Sequence, residues 1–329
     1  RFDLTLRNAD EFDAAGQLDR LTIGEVLFDT LTLDMAARDK LRYRIGVNNS
    51  AKNQEFMKEA YIEGNIGGNS MDAFLLQKDQ FDEVGFEFGV KAELSDSIVS
   101  VGLFPEKPRI AFLDWKLNEG NYVAYNLSDG KIKADMSIEN AERGYINIYT
   151  ARDNQFHNGV NVELSGIELR DWLVMSPFSP PIEGALSAKV SVNYNEKLYW
   201  GTGEVLIDDM RYGKRPVGDL RLDTRLALTG ERGNVYALAG MDIDGHRFLS
   251  MRGYRLDSVP EPQYDLHLEI DSLPLSTVSA FMPESAGTLT GALNGKIAVS
   301  GNLSAPKLDG YLQFDSARIK MPMRPSILT

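Results

Sequence analysis

The chain has 329 residues, 43% of them hydrophobic, which is long enough for two domains or one elongated one and too apolar for a disordered chain. A formal net charge of −13 argues against nucleic acid or an anionic membrane surface as its main partner. It has no cysteine, hence no disulfide framework or thiolate metal site, and no apolar run of the ~18–20 residues that span a bilayer.

Period-two alternation runs through the chain and predicts strands. In LRYRIGV (41–47), Leu41, Tyr43, Ile45 and Val47 share one face, and Arg42 and Arg44 take the other. AKNQEFMKEAY (51–61) is a candidate helix. NSMDAFLLQKDQ (69–80) is another, with Ser70 as N-cap and Met71, Phe74 and Leu75 at helical spacing. VGFEFGVKAEL (84–94) then alternates again, as do KIKADMSIE, YINIYTA and GVNVELSG. IELRDWLVMS (167–176) reads as a short helix stopped by Pro177. ALSAKVSVN, DLRLDTRLAL, NVYALAGMDI and YDLHLEI follow as strands, LSTVSAFM (275–282) as a helix ended by Pro283, and GKIAVSG as a further strand. Turn signals at Asp129-Gly130, Arg143-Gly144, Asn158-Gly159, Arg232-Gly233 and Asp244-Gly245 separate the strands. The sum is an all-β chain, mostly antiparallel meander, with a few short helices.

The sequence contains a repeat. Shifted by 107 residues, 184–211 lies on 291–318 without a gap, and nine of 28 positions match, among them Gly184/Gly291, Leu186/Leu293, Lys189/Lys296, Gly203/Gly310 and Asp208/Asp315. Ordinary residue frequencies give about two matches. Each copy follows a short helix with a proline-bearing loop. Division by this pattern gives 1–166, 167–272 and 273–329, the last being the truncated start of a new unit. A period near 100 is too long for a β-helix rung or a propeller blade.

Each strand has one apolar face, so the sheet must curl on itself, pack on a second layer or meet another apolar molecule. A filled core gives a barrel or sandwich; an unfilled one gives an apolar trough. Medium aliphatic and small residues occupy the apolar parity (Leu186, Ala188, Val190, Val192; Leu293, Gly295, Ile297, Val299), and this leaves space.

Residues 273–322 resemble the repeat of the TamB family, within the AsmA-like group of bacterial envelope proteins. The shared pattern is a short helix with proline after it, then Gly287-x-Leu289-x-Gly291, then a strand. Ser300, Gly301, Leu303, Pro306, Leu308 and Gly310 form the most specific element, and the final strand ends in Asp315 to Ile319. The copy at 167–211 departs from it, with Tyr194 in place of Gly301, and residues 1–166 carry no family motif.

The resemblance implies a sheet curled like a taco around an apolar groove, in a protein anchored in the inner membrane and crossing the periplasm. It also implies a non-enzymatic function, the movement of phospholipids towards the outer membrane with acyl chains in the groove. A second implied role is outer-membrane protein assembly with a TamA-like β-barrel partner. No cofactor is implied. Parity places Leu186, Val190, Val192, Val205 and Ile207 on the groove face, with Leu220, Leu222, Leu266 and Leu268. Leu293, Ile297, Val299, Leu312 and Phe314 complete it. The chain starts at Arg1 without a signal-like segment and stops at PSILT, so it reads as a piece of something longer.

Other motifs point to structure. His157, His246 and His267 lack ligand spacing. DIDG (242–245) resembles the start of a calcium loop without its later ligands, and a tight turn explains it. GNIGGN (64–69) has no Lys-Ser/Thr to make a phosphate loop. Trp115, Trp172 and Trp200 suggest either a sugar platform or packing; they are spread along the sequence, so packing is expected. Abundant carboxylates leave a carbohydrate-active β protein as a third reading, although no pair is marked out.

Overall fold

The computed structural model describes all residues except 1, 7–10, 25, 50–56, 151–157, 175, 177, 195–197, 230–233, 258–260, 284–285, 303 and 322–329. The fold is all-β, and every strand pairing is antiparallel. The chain forms two compact units. Residues 1–151 and 170–180 make the first, and residues 152–169 and 181–329 the second.

Unit 1 contains β1 (Phe2–Leu6), β2 (Phe12–Ile23), β3 (Val26–Ala37), β4 (Leu41–Asn48), β5 (Glu59–Gly67), β6 (Ser70–Lys78), β7 (Val84–Ser95) and β8 (Ile98–Ile110), each paired with the next. The short strands β9 (Leu113–Asp114) and β10 (Lys116–Leu117) interrupt the meander before β11 (Tyr122–Asn126), β12 (Ile132–Asn140) and β13 (Gly144–Thr150). β11 returns to β8, so the ladder resumes where it left off. The interruption carries a small core of Pro108, Ile110, Trp115, Leu117, Met136 and Ile138. The Trp115 indole N–H donates to the Ile110 carbonyl at 3.0 Å, which satisfies its one polar group.

The predicted helix at 69–80 is a strand. β6 pairs with β5 along its whole length and with β7 on its other side. Its apolar residues fall on both faces of the strand (Met71, Ala73 and Leu75; Phe74 and Leu76), which hides the period of two and mimics helical spacing. Of the candidate helix at 51–61, residues 51–56 lie outside the described residues and Glu59–Tyr61 begin β5. Asn158-Gly159 is not a turn but the start of a strand, and Arg232-Gly233 lies outside the described residues.

Unit 2 is an uninterrupted meander: β14 (Asn158–Glu168), β15 (Ile182–Tyr194), β16 (Leu198–Tyr212), β17 (Arg215–Thr229), β18 (Asn234–Ile243), β19 (His246–Leu256), β20 (Gln263–Pro274), β21 (Thr288–Gly301) and β22 (Lys307–Lys320). No pairing joins β14 to β22 among the described residues, so the ladder is open, and β22 is exposed along its whole length. Helix α1 (Leu169–Leu173) follows β14, and α2 (Leu275–Ala280) follows β20, inside the two stretches where proline-stopped helices are predicted.

The sequence repeat has a structural counterpart. β14 and β20 each end in a register shift, at Leu164/Ile167 and Ile270/Leu273, with Gly166 and Ser272 at positive φ, and a short helix follows each. The next strand then carries a second shift at Gly184 or Gly291, with φ of +132° and +107°. A Cβ at Gly291 would stand 2.6 Å from the Asp315 carbonyl oxygen, so this turn of the backbone requires glycine. Leu186 faces Ile207, and Leu293 faces Phe314, at the same register in both copies.

Candidate functional site

Residues paired across an antiparallel ladder share a face, so the register of unit 2 can be followed strand by strand. One row runs Val160, Val192, Gly201, Leu226, Ala237, Gly253, Leu266, Val299 and Leu308. The next runs Val162, Val190, Gly203, Thr224, Ala239, Met251, Leu268, Ile297 and Gly310. A third runs Leu164, Ala188, Val205, Leu222, Met241, Leu249, Ile270, Gly295 and Leu312. In a chain that is 25% charged, these three rows of nine contain no charged residue. Nine strands at ~4.8 Å spacing give a band about 38 Å wide.

All fourteen residues assigned to the groove by parity lie on this face. Leu186, Ile207 and Leu220 form a fourth row that ends on Ile243, and Leu293 and Phe314 pair at the corresponding level. The β14, β18 and β19 members were not assigned from sequence. β18 has apolar residues on both parities (Val235, Ala237, Ala239 and Met241; Tyr236 and Leu238), and a register shift at Met241/Asp242 re-phases its pairing with β19. Only cross-strand register separates the two sets.

The face is open over most of its area. Val192 and Leu226 are each 45% exposed and Phe314 is 62% exposed, while the other row members are mostly half-buried. In a filled sandwich such side chains are fully covered. Ile167 and Tyr194 are buried on this face, and it is covered where α2 packs. There Met210, Val217, Ile243, Phe248 and Ala280 form a buried cluster, with Ile243 7% exposed and Phe248 6%. Register shifts at Ile207/Met210 and Ile270/Leu273 each flip the alternation once, and so turn Met210 and Leu273 towards this cluster.

Helix α2 is too short to hold itself. Buried Ser279 accepts the Leu289 N–H at 2.9 Å, and its hydroxyl has the Leu275 carbonyl 3.2 Å away as an acceptor. The Arg215 guanidinium donates to the Ser279 carbonyl in the last turn of the helix and, at 3.3 Å, to that of Met282 just beyond it.

The opposite face is polar and largely self-neutralised. Lys189 meets Glu163 at 3.7 Å, Arg221 meets Glu204 at 2.8 Å, and Lys296 meets Glu269 at 2.7 Å. Arg247 bridges Asp223 and Asp242. Hydrogen bonding to Glu269 raises the Lys296 pKa, and the bond to Asp242 raises that of Arg247. Hollows in unit 2 lie along this charged face, one of about 690 Å³ beside Trp200, Tyr236 and Tyr254 and one of about 540 Å³ between Lys189 and Arg247. A twisted sheet is saddle-shaped, and each of its faces is concave along one diagonal.

The remaining motifs have structural positions. His267 pairs with Asp265 at 2.8 Å, His246 lies 3.2 Å from the Asp271 carbonyl, and His157 is outside the described residues. DIDG is the β18–β19 hairpin, with Asp244 and Gly245 both at positive φ and the Asp244 carboxylate accepting the Asp219 N–H at 2.8 Å. GNIGGN ends β5 and turns into β6. Trp115 and Trp172 pack edge to face with centroids 6.1 Å apart, whereas Trp200 stands on the charged face of β16. Among the described residues no group of three His, Asp or Glu is placed to hold a metal ion.

What these features define is an open antiparallel β ladder with one continuous apolar face and one charged face. Comparison with known proteins finds no matching family model, no matching curated protein and no matching solved structure.

Proposed function

We propose that this chain is a segment of a lipid conduit, in which phospholipid acyl chains lie on the apolar face of unit 2 while their headgroups stay in water. The observation that carries this reading is the charge-free band of three rows across nine strands, left uncovered over most of its area. Burial of an acyl chain contributes about 0.8 kcal/mol per CH₂ without directional bonds, so a lipid can shift along the band with little change in energy. One buried unpaired charge in the band would be a barrier, because desolvating it costs several kcal/mol. Glycines at Gly201, Gly203, Gly253, Gly295 and Gly310 keep the surface low between the aliphatic side chains. A taco-like curl, a periplasmic location, an inner-membrane anchor outside this segment and an outer-membrane β-barrel partner belong to the same proposal, on the strength of the TamB-like pattern in residues 273–322.

Site-specific photocrosslinking tests it. A photoreactive residue at Val190 or Ile297, on the apolar rows, is expected to label co-purifying or added phospholipid. One at Lys189 or Lys296, one residue away on the charged face, is expected not to. Equal labelling at both parities would refute the assignment of the path to this face.

A further inference from the structure

On the charged face of unit 2, two neighbouring arginines, Arg225 and Arg252, stand without a carboxylate partner among the described residues, whereas Lys189, Arg221, Arg247 and Lys296 each have one. These two guanidiniums share one row, Thr202, Arg225, Leu238, Arg252 and His267, and flank Leu238, which is exposed. The adjacent row on the same face is Trp200, Ala227, Tyr236, Tyr254 and Asp265. Its rings form a ledge beside the cations, with the Tyr236 and Tyr254 centroids 6.2 Å apart and small Ala227 leaving a notch next to Trp200. The hollow of about 690 Å³ is lined by both rows, and its size is that of a small-ligand site.

We propose that this hollow binds an acidic saccharide, with Arg225 and Arg252 on its anionic groups and the rings of Trp200, Tyr236 and Tyr254 against its sugar faces. Aromatic side chains held on paired strands offer rigid apolar plates at low entropic cost, which suits a stiff pyranose ring. Guanidiniums that no carboxylate already engages bind carboxylate or phosphate in bidentate fashion. Thr202, Asp265 and His267 supply donors and acceptors for hydroxyl groups at the rim. A peptide fits less well, because the backbone of β16 to β20 is already paired on both sides and offers an incoming strand no partner. A nucleic acid needs a run of cations along its backbone, and two arginines on a chain of net charge −13 do not provide one.

Calorimetric titration of the 329-residue chain tests the proposal, with trigalacturonate, maltotriose and inorganic phosphate as probes. Trigalacturonate is expected to bind at least tenfold more tightly than either control. The double variant R225Q/R252Q is expected to lose at least tenfold of that affinity, and Tyr236→Ala to weaken it as well, both with unchanged circular dichroism and thermal midpoint. Retention on vesicles carrying a glucuronic-acid-headed glycolipid would assign a membrane-borne source; binding of the free trisaccharide alone would assign a soluble one. Equal affinity for maltotriose, phosphate as good a ligand as trigalacturonate, an unaffected double variant, or no binding of trigalacturonate at millimolar concentration would each overturn it. Lipid labelling at Ile297 is independent of these outcomes, so failure of the saccharide site and failure of the conduit are separable.

Discussion

The two ends of the apolar face in unit 2 are made of the same residue types and do opposite things. At the sealed end Ile243 and Phe248 lie under α2 with less than a tenth of their surface exposed, while Val192 and Leu226 each keep 45% of theirs. Chemistry does not distinguish Ile243 from Val192; cover does. A short helix, pinned by Ser279 and Arg215, turns part of a greasy face into a core, and the rest stays available. Hydrophobic residues therefore hold the fold together under the helix and leave apolar surface exposed at positions such as Val192 and Leu226.

Three measurements by urea unfolding test this contrast. Phe248→Ala, at the sealed end, is expected to cost about 3–5 kcal/mol, the usual range for truncating a buried phenylalanine. A loss below about 1 kcal/mol would mean the cluster is not a core. Ser279→Ala strips the part-buried Leu289 N–H of its partner and is expected to cost about 1–3 kcal/mol. An unchanged midpoint there would show that the helix is held by packing alone. Leu226→Ala, on the open rows, is expected to cost less than about 1 kcal/mol, because its side chain gains little cover on folding. A cost matching that of Phe248→Ala would erase the distinction between the two ends.

Most of the fold was legible in the sequence because alternation is a direct imprint of the sheet's two faces. The parity of Leu186, Val190 and Val192 survives into the structure, as does that of Leu293, Ile297 and Val299. The repeat was legible too, since Gly184 and Gly291 hold a backbone conformation that other residues strain to adopt. Failure came where apolar residues fall on both parities. β6 reads as a helix for that reason, and β18 leaves undecided which of its sides joins the apolar face until its pairing with β17 is known. The small core around Trp115 was also hidden, because it depends on β11 returning to β8 past the short strands between them. Nothing local to Trp200 separates it from Trp115; the register of four strands puts Trp200 beside Tyr236 and Tyr254, while Trp115 is buried.

β22 is exposed along its whole length, and it borders a face that is apolar and largely uncovered. A long strand edge next to bare aliphatic surface is a template on which further chains can add and stack. Lys307, Asp309, Asp315, Arg318 and Lys320 place charges along that strand, and each chain carries a formal −13 into any encounter with another. Mutual repulsion of this kind opposes association in dilute salt and fades as counterions shorten its range to about 8 Å near physiological ionic strength. The acidity that tells against nucleic acid as a partner thus also opposes the self-association that such an edge invites.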